Sequence, residues 1–275
     1  MAIRCIALDM DRTTLNPEGK LSEHNRAALE RAINRGIAVV IASGRTFTSL
    51  PADVVGIPGI AYAITSNGAA LYHLPTGKCL HRFLLEPGSV EQVLALTAGE
   101  NVTYEGFIDG QAYADQAYVD HPERYGADRL AAAYVRETRR PEPEIRAFLR
   151  AHARQLDGMD IVVQDQAVKA RLWAQLEREV PELYVTSSIQ RLLELAHRNA
   201  GKHSGLRLVL ERLGISREET AAFGDGDNDA EMLSFSGVGI AMANGTPACL
   251  AAADFVTKSN GEDGVAWGME HFLGI

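Results

Sequence analysis

At 275 residues, with 46% hydrophobic and 23% charged side chains, the chain has the composition of a water-soluble globular protein and enough apolar material for two packed domains. Its formal net charge of -9, with no conspicuous Lys or Arg run, argues against nucleic acid as a main partner but leaves room for an anionic small substrate. Cys5, Cys79 and Cys249 match no disulfide or zinc spacing, and there is neither a leader-like start nor an apolar run of bilayer length. A reduced, cytoplasmic protein is therefore expected.

The predicted elements begin with an apolar strand, Ile3 to Leu8, that runs straight into Asp9 and Asp11. Asn16-Pro17-Glu18-Gly19 reads as a turn. Ser22 reads as the N-cap of a helix with apolar positions Ala28, Leu29, Ala32 and Ile33, stopped at Gly36. A second apolar strand, Ile37 to Ala42, ends in Ser43-Gly44-Arg45. Strand, helix and strand at this spacing form a βαβ unit and favour a parallel sheet. A third strand, Ala61 to Thr65, ends in Ser66-Asn67-Gly68, and the segments around Pro75-Thr76-Gly77 suggest a hairpin.

The pattern changes at Leu85-Glu86-Pro87-Gly88. From there to about Ser188 helices and strands mix, with a hairpin signal at Asp109-Gly110, which is expected for an inserted α+β domain. Arg191 to Ala196 reads as the strand on which the chain returns to the first domain. Lys202 then opens a helix that Gly214 stops. Thr220 to Phe223 is a short strand ending in Gly224-Asp225-Gly226-Asp227-Asn228-Asp229, and Val238 to Met242 and Phe255-Val256 read as two further strands. The fold class expected is α/β, a Rossmann-like parallel sheet core with helices on both faces and an inserted α+β cap. Residues 1–85 and 189–275 form the core and 86–188 the cap.

Polar groups gather where these strands end: Asp9 and Asp11, Ser43, Lys202, and the loop from Asp225 to Asp229. Ligands of open α/β sheets bind beyond the carboxyl ends of strands. Residues two apart on a strand face the same side, so Asp9 and Asp11 repel unless a cation or a chemical role compensates. Mg2+ prefers carboxylate oxygens. Alone, a Ser-Gly turn or a Lys after a glycine is an ordinary surface feature. Together they fall on one expected edge of one sheet.

With those four motifs in order, the chain resembles the haloacid dehalogenase-like superfamily, in its Cof-type group of phosphatases with a large α/β cap. The motifs are Asp9-Met10-Asp11-Arg12-Thr13, Ser43-Gly44-Arg45, Lys202, and Gly224 through Asp229. Ser66-Asn67-Gly68 matches a further element of the group. The resemblance implies that Asp9 is the nucleophile, forming an aspartyl-phosphate, and that Asp11 is the general acid and then the base. It implies phosphate contacts from Met10, Ser43, Gly44, Lys202 and Asn228. It implies Mg2+ held by Asp9, Asp225 and the region of Asp11, with Asp229 and Asn67 in support. The implied substrate is a small phosphorylated metabolite, such as a sugar phosphate, and the protein is expected as a monomer or homodimer. A sugar phosphomutase, or a phosphate-ligand sensor with weak turnover, are the competing readings.

Two positions depart from the pattern. The first motif usually carries Gly where Arg12 stands and Leu where Thr14 stands. Arg12 either reshapes the turn, carries a guanidinium toward an anionic substrate or the cap, or points to solvent. Aromatics at Tyr104, Phe107, Tyr113 and Tyr118 are expected as core or cross-strand pairs, with substrate contact as the alternative.

Overall fold

The computed structural model describes residues 2–275. In chain order its strands are β1 (Cys5–Leu8), β2 (Ala38–Ala42), β3 (Tyr62–Thr65), β4 (Ala70–His73), β5 (Lys78–Arg82), β6 (Thr103–Ile108) and β7 (Gln111–Asp115). They continue with β8 (Arg139–Glu142), β9 (Leu156–Val162), β10 (Leu183–Thr186), β11 (Leu192–His197), β12 (Thr220–Gly224), β13 (Val238–Ala241) and β14 (Phe255–Val256). Two compact units result. One takes in the chain up to Arg45, Leu50–His81 and Gly201–Ile275; the other takes in Thr46–Ser49 and Arg82–Ala200.

The first unit holds a sheet ordered β14-β13-β12-β1-β2-β3-β4-β5. Pairing is parallel from β14 to β3 and antiparallel between β3 and β4. β1 is central and apolar because both its faces are covered. Ile6 and Leu8 pack with Leu29 and Met269, whereas Cys5 and Ala7 pack with Leu206, Val209 and Leu233. The covering helix Glu23–Asn34 starts where the Ser22 side chain accepts the Asn25 N–H. The chain leaves β1 toward β2 and β3 on one side and returns at β12 on the other. This is the topological switch where ligand crevices form. The register Leu8↔Phe223 and Leu8↔Ile41 brings Asp9, the loop after Gly224 and Ser43 out at one edge.

The second unit is built on a sheet ordered β10-β11-β9-β6-β7-β8, antiparallel except for β7 with β8. Asp109 and Gly110, both left-handed at φ 52 and 74, make the two-residue turn between β6 and β7. Tyr104, Met159, Ile161, Leu193 and Leu195 face one core. The opposite face carries Val162 and Leu192 and, by alternation, the buried acids Glu105, Asp160 and Glu194. Tyr104 and Tyr118 are fully buried and Tyr113 packs on Phe148, so these aromatics are core residues.

One sequence expectation needs correcting. Leu192–His197 does not return the chain to the first sheet. It pairs antiparallel with β9 and β10 inside the second, and that unit runs to Ala200 rather than residue 188. A strand flanked on both sides is apolar in either sheet, so periodicity identifies the strand and not its partners.

Candidate active site

Asp9 follows β1 directly and is 5% exposed. Lys202, the first residue of the helix Lys202–Leu213, is completely buried and spans two carboxylates. Its Nζ donates to Asp9 Oδ1 at 2.6 Å and to Asp229 Oδ1 at 2.6 Å. The neighbouring Ser66-Asn67-Gly68 turn fixes where that helix begins. Gly201 N–H donates to the Asn67 carbonyl, and a Cβ on Gly68 would lie 2.0 Å from the Gly201 oxygen, so no other residue fits at 68.

Asp229 Oδ2 accepts the N–H groups of Asp225 and Gly226 at 3.0 and 2.9 Å. Both its oxygens are thus engaged, one by Lys202 and one by its own loop. Asp225 Oδ1 accepts the Thr13 hydroxyl at 3.0 Å, and Arg12 Nε stands 3.6 Å from its Oδ2. Oxygens of Asp9, Asp225 and Asp229 all lie within 4.8 Å of one another. Three buried carboxylates against the Lys202 ammonium and the half-exposed Arg12 guanidinium still leave an excess of negative charge that a divalent cation would neutralise. An all-oxygen donor set suits Mg2+. With Asp229 occupied, Asp9 and Asp225 are the ligands this arrangement offers.

Burial disfavours the Lys202 ammonium, but Asp229 and Asp9 outweigh it and raise its pKa above the ordinary lysine value. Burial, reinforced by Asp229, raises Asp225 to about 7 against the pull of Arg12 and Thr13. Burial also raises Asp9, with Lys202 opposing.

The Asp11 side chain lies outside the three-carboxylate group. It is exposed, and Arg45 grips it through Nε–Oδ2 at 2.7 Å and Nη2–Oδ1 at 2.6 Å. As a metal contact Asp11 therefore offers its main chain, not its carboxylate. The Met10 side chain is core, which likewise leaves only its main chain for a ligand.

Ser43 is buried, and its hydroxyl oxygen accepts the Arg45 N–H at 3.1 Å, leaving the hydroxyl proton to donate elsewhere. Gly44 packs on the Asn67 amide, where an added Cβ would come 3.1 Å from Oδ1. Asn228 Nδ2 donates to that same Asn67 oxygen at 2.9 Å. Asn67, held left-handed at φ 53, thus joins Gly44 and Asn228.

Both departures from the family pattern have structural answers. Thr14 is fully buried, and its hydroxyl donates to the Asp9 carbonyl at 2.6 Å, so it fills the leucine position without an unsatisfied polar group. Arg12 keeps the glycine-like backbone at φ 61, and its guanidinium stays beside Asp225 and the Asn244 carbonyl. Thr13, Arg45 and Asn244 received no role from the sequence. For Thr13, the signal was a hydroxyl two residues after Asp11, close to a buried strand end where hydroxyls are normally hydrogen-bonded.

The family model for haloacid dehalogenase-like hydrolases matches residues 6–269. Phosphatase YwpJ of Bacillus subtilis (strain 168) is 29% identical, over 98% of this chain and 100% of the relative. The 5-amino-6-(5-phospho-D-ribitylamino)uracil phosphatase YcsE of the same strain is 28% identical, over 98% of this chain and 96% of the relative. A solved haloacid dehalogenase-like hydrolase from B. subtilis matches with a TM-score of 0.86 at 28% identity, covering 98% of this chain and 100% of that one. With its four motifs brought to one edge of the sheet, the chain belongs to the haloacid dehalogenase-like hydrolases.

Proposed function

We propose that this hydrolase is a Mg2+-dependent phosphatase of small phosphorylated metabolites, sugar phosphates or similar monoesters, working through an aspartyl-phosphate. The observation that carries the reading is a buried Asp9 at the end of the central strand, one oxygen clamped by Lys202, with Asp225 alongside. Phosphatase names among the relatives support it. The unit containing Arg82–Ala200 is proposed as the substrate-selecting cap, and the protein as a cytoplasmic monomer or homodimer.

Asp9 attacks phosphorus while the bond to the leaving alcohol breaks, and Asp11 gives that alcohol its proton. Asp11 then takes a proton from water as the water attacks phosphorus and releases Asp9 as a carboxylate. Lys202 keeps the attacking carboxylate oriented and adds positive charge beside the phosphoryl oxygens. The Ser43 hydroxyl, the Met10 and Gly44 main chain and Asn228 hold those oxygens, with Asn67 fixing Gly44 and Asn228, and Asp229 orienting Lys202. Mg2+ held by Asp9, Asp225 and the Asp11 main chain would offset the repulsion between an anionic nucleophile and an anionic phosphate. For Asp11 to pass a proton, the two-pronged grip of Arg45 has to loosen, since a carboxylate bound at both oxygens only accepts.

The test is hydrolysis of a panel of phosphate esters with and without Mg2+, by the wild type and by Asp9→Asn. Hydrolysis should require both Mg2+ and Asp9, and turnover retained by Asp9→Asn would overturn the assignment. Label from water in the released phosphate separates hydrolysis from phosphomutase transfer. Binding of phosphate esters without turnover would instead favour a sensor, the reading that the Arg45 grip on Asp11 favours.

A further inference from the structure

We propose that Arg12 is a built-in counter-ion for Asp225 that competes with the divalent cation for that carboxylate, so that this chain holds its metal more weakly than it would with glycine at position 12. The inference rests on the Mg2+ reading above and goes beyond it, to the residue that sets how tightly the metal is held.

The guanidinium is aimed by the fold. Residue 12 sits at φ 61, a backbone region that disfavours any side chain, yet it is held there reciprocally. Asn244 Nδ2 donates to the Arg12 carbonyl at 2.9 Å, and Arg12 Nη2 donates to the Asn244 carbonyl at 3.3 Å. Asn244 is itself fixed, its Oδ1 accepting the Asn260 N–H at 2.9 Å, while Asn260 Nδ2 donates to the Leu15 carbonyl at 2.9 Å. This chain of contacts leaves Arg12 Nε 3.6 Å from Asp225 Oδ2. Thr13 already covers Oδ1. A cation that takes the Oδ2 side of Asp225 shares that oxygen with a positive group or pushes it aside. The Arg12 side chain is 53% exposed, so it can swing into solvent without unfolding its surroundings. Competition of this kind lowers affinity without abolishing binding. It also neutralises part of the acid cluster while no metal is bound.

The experiment is a calorimetric titration of Mg2+ into the full chain stripped with EDTA, for the wild type, Arg12→Gly, Arg12→Gln, Arg12→Lys and Asp225→Asn. Thermal melts in EDTA confirm that each variant is folded. Arg12→Gly and Arg12→Gln should bind Mg2+ about fivefold more tightly than the wild type, ~1 kcal/mol. Arg12→Lys, which keeps the charge, should stay close to the wild type. Arg12→Gln separates charge from backbone relief, because it keeps a side chain at the left-handed position. Equal or weaker Mg2+ binding by both neutral variants, with binding lost in Asp225→Asn, overturns the role of Arg12 alone. Wild-type affinity in Asp225→Asn would instead remove Asp225 as a ligand and overturn the metal reading together with this inference.

Discussion

Each unit holds a trio of neighbouring buried carboxylates, and the two trios behave differently because of where they stand on their strands. Asp9, Asp225 and Asp229 lie past the ends of β1 and β12, where the chain has left the ladder and the side chains can converge. Glu105, Asp160 and Glu194 are register neighbours within β6, β9 and β11. The pleat points them to one face, and the strand spacing of ~4.8 Å keeps them side by side. Among the described residues, only the first set brings ligand oxygens together closely enough to hold an ion. The counter-charges differ as well. Lys202 bridges two acids of the first set, whereas Arg139 pairs with Glu105 at 2.7 Å. Burial, then the flanking Glu194 and Glu105, raise the Asp160 pKa well above the ordinary carboxylate range, against the pull of Arg139. Convergence at a strand end brings carboxylate oxygens close enough to share a cation; alignment along a sheet holds them apart.

The contrast is broken most severely at Asp9. Asp9→Asn should lower turnover of an aryl phosphate by at least roughly 10^4-fold while circular dichroism stays unchanged, the effect of removing the proposed nucleophile. Lys202→Met comes next. It strands two buried carboxylates and should cost about 3–5 kcal/mol in chemical denaturation. Arg139→Met should also destabilise, but should leave aryl-phosphate turnover intact in the folded fraction, because its charge serves the second set only.

Acidity sharpens the comparison further. Asp225 is raised to about 7, above the ~4 of an unfolded carboxyl. Between those values the folded chain retains a proton that the unfolded chain has released, so metal-free stability should fall as pH rises from ~4 to ~7. Melting in EDTA across that range should show the decline, Asp225→Asn should make it shallower, and Mg2+ at pH 8 should restore stability to the wild type alone. In the second set, Asp160→Asn should make the protein more stable than the wild type at pH 8, because a raised folded-state pKa costs stability once the unfolded carboxyl has ionised. Smallest is Thr14→Val, which removes the hydrogen bond to the Asp9 carbonyl at constant volume and should cost about 1 kcal/mol.

The βαβ start was legible because Ile6 through Leu8 and Val39 through Ala42 are apolar on both faces, and because Ser22 and Gly36 mark the ends of the helix between them. The Asp109-Gly110 hairpin was legible because two left-handed positions in succession require such residues. The placing of β11 was not, since Leu192–Ala196 would look the same in either sheet. At the site, the sequence placed Asp9, Ser43, Lys202 and Asp225 on one edge. It could not show that Arg45 grips Asp11, because that pairing joins side chains 34 residues apart across neighbouring strand ends.

The sequence by itself determined the order of the four motifs, the strand ends on which they sit and the exchange of glycine for arginine at position 12. Those are local properties, written in runs of a few residues whose periodicity and turn chemistry act before any long-range contact forms. Tertiary structure alone decided which carboxylates converge, that Lys202 spans Asp9 and Asp229, and that Arg12 turns toward Asp225. Each of these depends on side chains brought together from distant parts of the chain. Residues 9 and 202, or 12 and 225, become neighbours only when β1 and β12 pair in register and the helix at Lys202 packs across their ends.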